Sequence, residues 1–372
     1  MESASRVEYS IYMHWSKTAA AARFNLATSG LKFCPIQELQ PPLEELELNG
    51  PNAYGFAPLQ QALAQKWGVA ESNVVAAQGT SMANHLAMAV LLRPGDGVAI
   101  ETPGYELLAD TARYLGASVR RFRRRFEEQF RLNGEEIEKA IVPKTRLIIA
   151  SNLHNPTGAL ATEEELTQLA AIAGRIGARV LVDEVYLDAA FPLRPRSAFH
   201  LGEAFVTTNS LTKVYGLNGL RCGWALADAK TAEQMWRLNN LFGVSPPFPA
   251  EQLSLVALKK LDQLRARSER LLQANHAVLN AFLDSRNDLE VVRPAFGTVV
   301  FPRWPSGDVE TLCQLLKTKF ETSIVPGRFF GAPDHFRIGI GGDTEMLAAG
   351  LERLGKAMDE CGNGNEQKTA TN

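Results

Sequence analysis

The densest chemistry in the chain lies in Ser210-Leu-Thr-Lys213-Val-Tyr-Gly216-Leu-Asn-Gly219-Leu-Arg221-Cys-Gly223-Trp224. Its lysine falls just after the apolar run Ala204 to Thr207, at a strand end, where open α/β sheets place their ligands. An amine partly withdrawn from water beside cationic or phenolic neighbours has a lowered pKa and condenses with an aldehyde. Ser210 and Arg221 add a hydroxyl donor and a planar bidentate cation, the equipment for a phosphate ester.

Three further segments carry polar groups at strand ends. Val180-Leu-Val-Asp183-Glu-Val-Tyr186 closes an apolar strand with a carboxylate and, three positions on, a phenol. A carboxylate there is costly to desolvate unless it meets a cation, and a protonated pyridine nitrogen is one such cation. Asp-Glu after a strand also suits Mg²⁺, but no GxxxxGK[ST] loop accompanies it, so no metal is expected. Ser151-Asn-Leu-His-Asn155-Pro-Thr-Gly158 forms a turn between the strand Leu147 to Ala150 and a helix beginning near Thr162. Gln78-Gly79-Thr80-Ser81 opens a helix running to Leu92, and free backbone N–H groups with two hydroxyls at a helix start attract an anion.

The elements that must hold these groups read as α/β. Val98 to Ile100, Leu147 to Ala150, Val180 to Val182 and Ala204 to Thr207 are short apolar runs, most of them separated by enough chain for a crossover helix, which predicts a buried, largely parallel sheet flanked by helices. Pro58 opens a helical run ending at Gly68, and Thr162 to Glu165 reads as a capping box. A long helical spine is expected from Pro249 toward Leu279, and beyond about Asn287 short strands around Val291, Val299 and Phe336 suggest a smaller α+β unit. The division expected is an N-terminal segment 1–45 packing with the small unit, a large unit 46–285, a small unit 286–361 and a structureless tail 362–372. Arg120 to Phe126 is interrupted by Phe122 and followed by Glu127 and Glu128, so it reads as a solvated edge strand without a functional role.

Composition narrows the partners. Lys plus Arg at 39 nearly balances Asp plus Glu at 41, leaving no field to draw nucleic acid or anionic lipid. The four cysteines, Cys34, Cys222, Cys313 and Cys361, have no paired spacing, which argues against a disulfide framework or a zinc site. No apolar run approaches the ~18 residues of a membrane span, and the polar Met1 to Ser10 lacks a secretion signal, so a cytoplasmic protein is expected.

Taken in order, these motifs resemble the fold-type I pyridoxal-phosphate enzymes, and within them the class I/II aminotransferases of the aspartate aminotransferase type, over about residues 25 to 341. The resemblance implies pyridoxal 5'-phosphate as cofactor, with Lys213 as the lysine of the internal aldimine and Asp183 as partner of the pyridine nitrogen. Tyr186 and Asn155 resemble the groups bonding the ring's phenolic oxygen. Ser210, Arg221 and Gly79-Thr80-Ser81 correspond to the phosphate cup, and Tyr105 to the aromatic residue stacked on the ring. Tyr54 resembles the tyrosine reaching the neighbouring subunit's phosphate, implying a homodimer with sites at the interface. Arg337, in Phe-Arg-Ile-Gly, resembles the arginine gripping the substrate α-carboxylate, helped by Asn155, while Gly30 matches a glycine closing over the substrate.

The activity so implied moves an amino group from an α-amino acid to a 2-oxo acid in two half-reactions. A lyase, a decarboxylase or a cyclopropane-carboxylate-type synthase uses the same scaffold, because the cofactor supplies the common chemistry. A non-enzymatic pyridoxal-phosphate sensor is the remote alternative, disfavoured because no helix-turn-helix segment precedes the core. Leu241 to Phe248 has no cation where dicarboxylate-specific members carry a side-chain arginine, which argues against an aspartate or glutamate preference. Tyr12, Met13, His14 and Trp15 match no motif, and packing against the small unit is the role favoured for them over lining the site.

Overall fold

The computed structural model describes residues 9–369. Its main sheet contains β1 (Val74–Gln78), β2 (Gly97–Thr102), β3 (Ser118–Arg123), β4 (Thr145–Ser151), β5 (Arg179–Asp183), β6 (Phe205–Ser210) and β7 (Cys222–Leu226). Their spatial order is β1-β7-β6-β5-β4-β2-β3, parallel except for β7, which runs antiparallel to both neighbours. β4, β5 and β6 are buried along nearly their whole lengths, which is why they read as unbroken apolar runs rather than as alternation. Because they are parallel, their carboxyl ends share one edge, and the register sets Ser151 beside Asp183 and Asp183 beside Thr208.

The local signals act as expected. Gly68, left-handed at φ 63°, closes the helix Ala57–Trp67. Thr162 and Glu165 form a reciprocal capping box. The spine differs: it is two helices, Phe248–Lys259 and Leu261–Asp284, broken at Lys260, whose backbone leaves the helical region. The Lys260 ammonium donates to the carbonyls of Leu39 (2.9 Å) and Gln40 (3.1 Å), so the break is held by a contact remote in sequence.

Arg120 to Arg123 do form the sheet edge, within β3, but Arg124, just past the strand, is not solvated. Arg124 is 2% exposed. Its Nη1 meets Glu101 Oε2 at 3.0 Å and its Nε donates to the Phe130 carbonyl at 2.6 Å. Glu101 in turn accepts from the Ser151 amide (2.8 Å) and hydroxyl (2.5 Å), and the same hydroxyl accepts from the Asn155 amide at 3.2 Å. The reading of this run as functionless surface is therefore corrected for Arg124, which braces the loop carrying Asn155. Arg124→Ala leaves a buried carboxylate without its cation and is expected to cost about 3–5 kcal/mol in a denaturant titration. Exposed Arg120→Ala and Arg123→Ala should stay within about 0.5 kcal/mol of wild type.

A second sheet of β8 (Val299–Val300), β9 (Val325–Pro326) and β10 (Phe336–Gly339) is antiparallel, with β10 central, so Arg337 sits on its middle strand. Phe24 and Asn25 pair in parallel with Thr322 and Ser323, tying the N-terminal segment to this unit. Ahead of them stands the short helix α1 (Ile11–Thr18). The region expected as a structureless tail continues the helix Thr344–Thr369, and 370–372 lie outside the described residues.

Candidate active site

A cleft of about 340 Å³ opens at the carboxyl edge of the main sheet. Lys213, Asp183, Tyr186, Asn155, Tyr105, Thr80, Ser81 and Arg221 all line it, so residues spread over more than a hundred positions converge. The elements explain the convergence. Asp183 is the last residue of β5, Lys213 follows β6 by three positions, and α2 (Thr80–Leu91) starts directly after β1 and Gly79.

Asp183 is 5% exposed. Oδ2 accepts from Asn84 Nδ2 at 2.8 Å and Oδ1 from the Val185 amide at 3.1 Å. Burial pushes its pKa up to about 6, against the opposing pull of those two bonds and of Lys213. Asn84 is itself fixed, since its Oδ1 accepts from Thr208 Oγ1 at 2.6 Å. Burial also lowers the Lys213 pKa; Arg337 and Arg221 push the same way, while Tyr12 and Asp183 oppose. Among the described residues the Lys213 amine has no hydrogen-bond or ion-pair partner. It is a nucleophilic amine held in a cleft, with a costly buried carboxylate in the same wall.

The anion site is built at the start of α2. Gly79, at φ 80°, turns β1 into the helix, and a Cβ there would lie 2.2 Å from Arg221 Nη2. A Cβ on Gly223 would lie 2.4 Å from the Gly79 carbonyl carbon, so both glycines are needed for the backbones to meet. Thr80 Oγ1 is buried with no partner, a donor awaiting an acceptor. Ser210 stands behind the wall, its hydroxyl 2.6 Å from that of Thr212, and it is Thr212 that faces the cleft. Gly30 packs on Lys213, where an added Cβ would touch Cδ at 3.4 Å, and the Leu31 amide donates to the Lys213 carbonyl at 2.8 Å. The Tyr186 hydroxyl donates to Ser29 Oγ at 2.7 Å. Tyr54 does not join this cleft; it is 52% exposed, with its ring against Trp236.

Arg337 is fully buried. Nη1 donates to Asn155 Oδ1 at 2.9 Å, and Nη2 to the Tyr12 hydroxyl and the Ala27 carbonyl, each at 3.0 Å. Tyr12, Met13, Trp15 and Ser16 of α1 wall the cleft. The preference for packing was half of the matter. Tyr12 and Trp15 do stack near Phe329, at 5.6 and 5.1 Å between ring centres, but the same helix also closes the site. Nothing in Tyr-Met-His-Trp announces this; the signal is tertiary. Thr212 lies within the Ser210 to Lys213 motif and Asn84 one helical turn past Thr80, yet neither carries a local signal that would assign it a role.

The chain belongs to the aminotransferase class I and II family, whose model matches residues 45–354. A capreomycidine synthase of Streptomyces vinaceus is 28% identical over 363 residues, covering 94% of this chain and 93% of that protein. An aspartate aminotransferase of Streptomyces avermitilis is 27% identical over 336 residues, 83% of this chain and 81% of that one. Among solved structures, a PLP-dependent aminotransferase from Streptococcus suis superposes with a TM-score of 0.89 at 25% identity, covering 95% and 98% of the two chains. Pyridoxal 5'-phosphate is accordingly the cofactor. The chemistry of the donors fits it: an unpartnered buried hydroxyl and a glycine cradle against Arg221 for the phosphate, a buried carboxylate for the ring nitrogen, and a free amine for the aldehyde. Among the described residues no helix is long and apolar enough to cross a membrane.

Proposed function

We propose that the chain transfers an amino group from an α-amino acid to a 2-oxo acid, with Lys213 as covalent anchor and proton carrier. The carrying observation is that one cleft joins the Lys213 amine to the Asp183 carboxylate, with the Arg337 guanidinium directly behind its wall. The cofactor, when bound, supplies an electron-accepting ring that stabilises charge at the substrate Cα. Asp183 would hold the proton on the ring nitrogen, and Thr80, Ser81, Arg221 and the start of α2 would hold the phosphate, with Ser210 supporting Thr212 beside them. Tyr105 would stack on the ring, and Tyr186 and Asn155 would bond its phenolic oxygen. Lys213, made less basic by burial, would take the proton from the substrate Cα and deliver one to the coenzyme's exocyclic carbon. Arg337 grips the α-carboxylate with Asn155 beside it, Gly30 leaves room for the substrate over Lys213, and α1 excludes water.

The working form proposed is a cytoplasmic homodimer. Leu241 (77%), Phe242 (55%) and Val244 (67%) expose an apolar surface in the single chain, close to Tyr54 through the Asn240 amide that donates to its hydroxyl at 3.4 Å. The large and small units divide near residue 285, where the helix Leu261–Asp284 ends.

A second reading has one observation in its favour. The capreomycidine synthase relative spans 94% of the chain, the aspartate aminotransferase 83%, so a synthase reaction on the same scaffold stands beside transamination. One experiment separates them. Purified holoenzyme is given a panel of single amino acids without oxo acid. Stoichiometric conversion of the coenzyme to its amine form, with one equivalent of oxo acid, supports transamination. Product beyond one equivalent, with the coenzyme unchanged, supports a lyase or synthase.

A further inference from the structure

We propose that Tyr12 is itself a ligand of the substrate carboxylate: its hydroxyl, delivered by α1, donates to the carboxylate that Arg337 grips. The inference rests on the reading of Arg337 as the carboxylate-binding cation. Arg337 is fully buried, and the three groups that accept its hydrogen bonds, the Tyr12 hydroxyl, the Asn155 amide oxygen and the Ala27 carbonyl, belong to residues that line the cleft. Of these three only the phenol carries a proton of its own that an anion approaching the guanidinium could accept without a bond being broken.

The hydrogen-bond roles leave Tyr12 free to act. Its oxygen accepts from Arg337 Nη2 at 3.0 Å, so its own proton remains to be donated, and among the described residues no acceptor takes it. Arg337 keeps donors in reserve as well, since its buried Nε has no partner. A carboxylate set beside the pair would accept the Tyr12 proton and stand next to the guanidinium charge, a charge-assisted bond stronger than a neutral one. The ring is fixed from three sides by Tyr105, Phe329 and Phe330, with centres 5.6 to 5.8 Å away.

The carrier of this group is weak alone. α1 has eight residues and its N-cap Ser10 makes no side-chain cap bond, so in isolation it would not persist. It is held by Tyr12, by Met13 Sδ accepting from the Tyr105 hydroxyl at 3.3 Å, and by Trp15 on Phe329. A bound carboxylate adds one more tie, so substrate binding and closure of α1 become one event.

The test uses holoenzyme and two amines. 2-Methylalanine has the amine and the carboxylate but no Cα hydrogen, and isopropylamine lacks the carboxylate. Both are titrated by the coenzyme's absorbance. Tyr12→Phe retains the ring contacts and should bind 2-methylalanine about 10- to 100-fold more weakly while holding isopropylamine within about 2-fold of wild type. Met13→Ala, which loosens α1 without touching the phenol, should weaken 2-methylalanine by much less. Unchanged or tighter binding of 2-methylalanine by Tyr12→Phe overturns the proposal, as does an equal loss in Met13→Ala, which would make the effect one of helix docking. Failure of transamination itself would show separately, as absence of the amine form with reactive amino acids, and would leave this titration readable.

Discussion

Lys213→Ala is expected to lower turnover by about 10⁴-fold or more, because the proposed function gives one side chain both the anchor and the proton transfer. The fold should survive. The amine has no partner among the described residues, so its removal strands no buried group, and truncation relieves the desolvation that depresses its pKa. The segment's backbone is held independently by the Leu31 amide on the Lys213 carbonyl. Borohydride should fix the coenzyme to wild-type protein and not to the variant, with thermal unfolding of the cofactor-free proteins within a few degrees of each other. Retained turnover, or labelling at another lysine, would remove Lys213 from its assigned role.

Asp183→Asn should lower kcat/KM by about 30- to several-thousand-fold, the 2–5 kcal/mol that follows when a buried cation loses its charged partner. The local geometry makes the swap poor in a second way. Both carboxylate oxygens accept hydrogen bonds, from Asn84 and Val185, and the Asn84 oxygen is already taken by the Thr208 hydroxyl. An amide at 183 therefore opposes one NH₂ to a donor unless Asn84 turns over and donates to the Thr208 hydroxyl instead.

The cofactor-free protein provides an independent check through pH. The unfolded acid titrates at its ordinary 3.8 and the folded one at about 6, so between these values the folded state binds more protons and stability falls as pH rises. Relative to Asp183→Asn, cofactor-free wild type should lose about 2.4 kcal/mol between pH 4 and pH 7. A flat difference across that range would mean that the carboxylate is not buried as described. Cofactor binding, by supplying a cation, should flatten the same curve.

The sheet was legible because its central strands are covered on both faces and so have no polar alternation to confuse them: Leu147 to Ala150 and Val180 to Val182 stand out as runs. Lys213, Asp183 and Asn155 were legible because each closely follows or ends such a run, where polar residues are costly without a purpose. Arg124 was misjudged because in sequence it belongs to a string of arginines, and only the partner at position 101 distinguishes it from its exposed neighbours. The site role of α1 was hidden for the same reason. Tyr12 finds its arginine 325 positions away, and no local pattern encodes that distance.

That separation has a consequence for how the molecule opens and closes. Joining positions so far apart confines nearly the whole chain, a loop-closure cost near 5 kcal/mol that the sheet must already have met through its own shorter-range pairings. The Tyr12 contact is thus a late arrival in folding and, having few bonds of its own, an early departure in native fluctuation. Hydrogen exchange would find the amides of Ile11–Thr18 labelled long before those of β5, giving an entrance that breathes over an interior that stays shut.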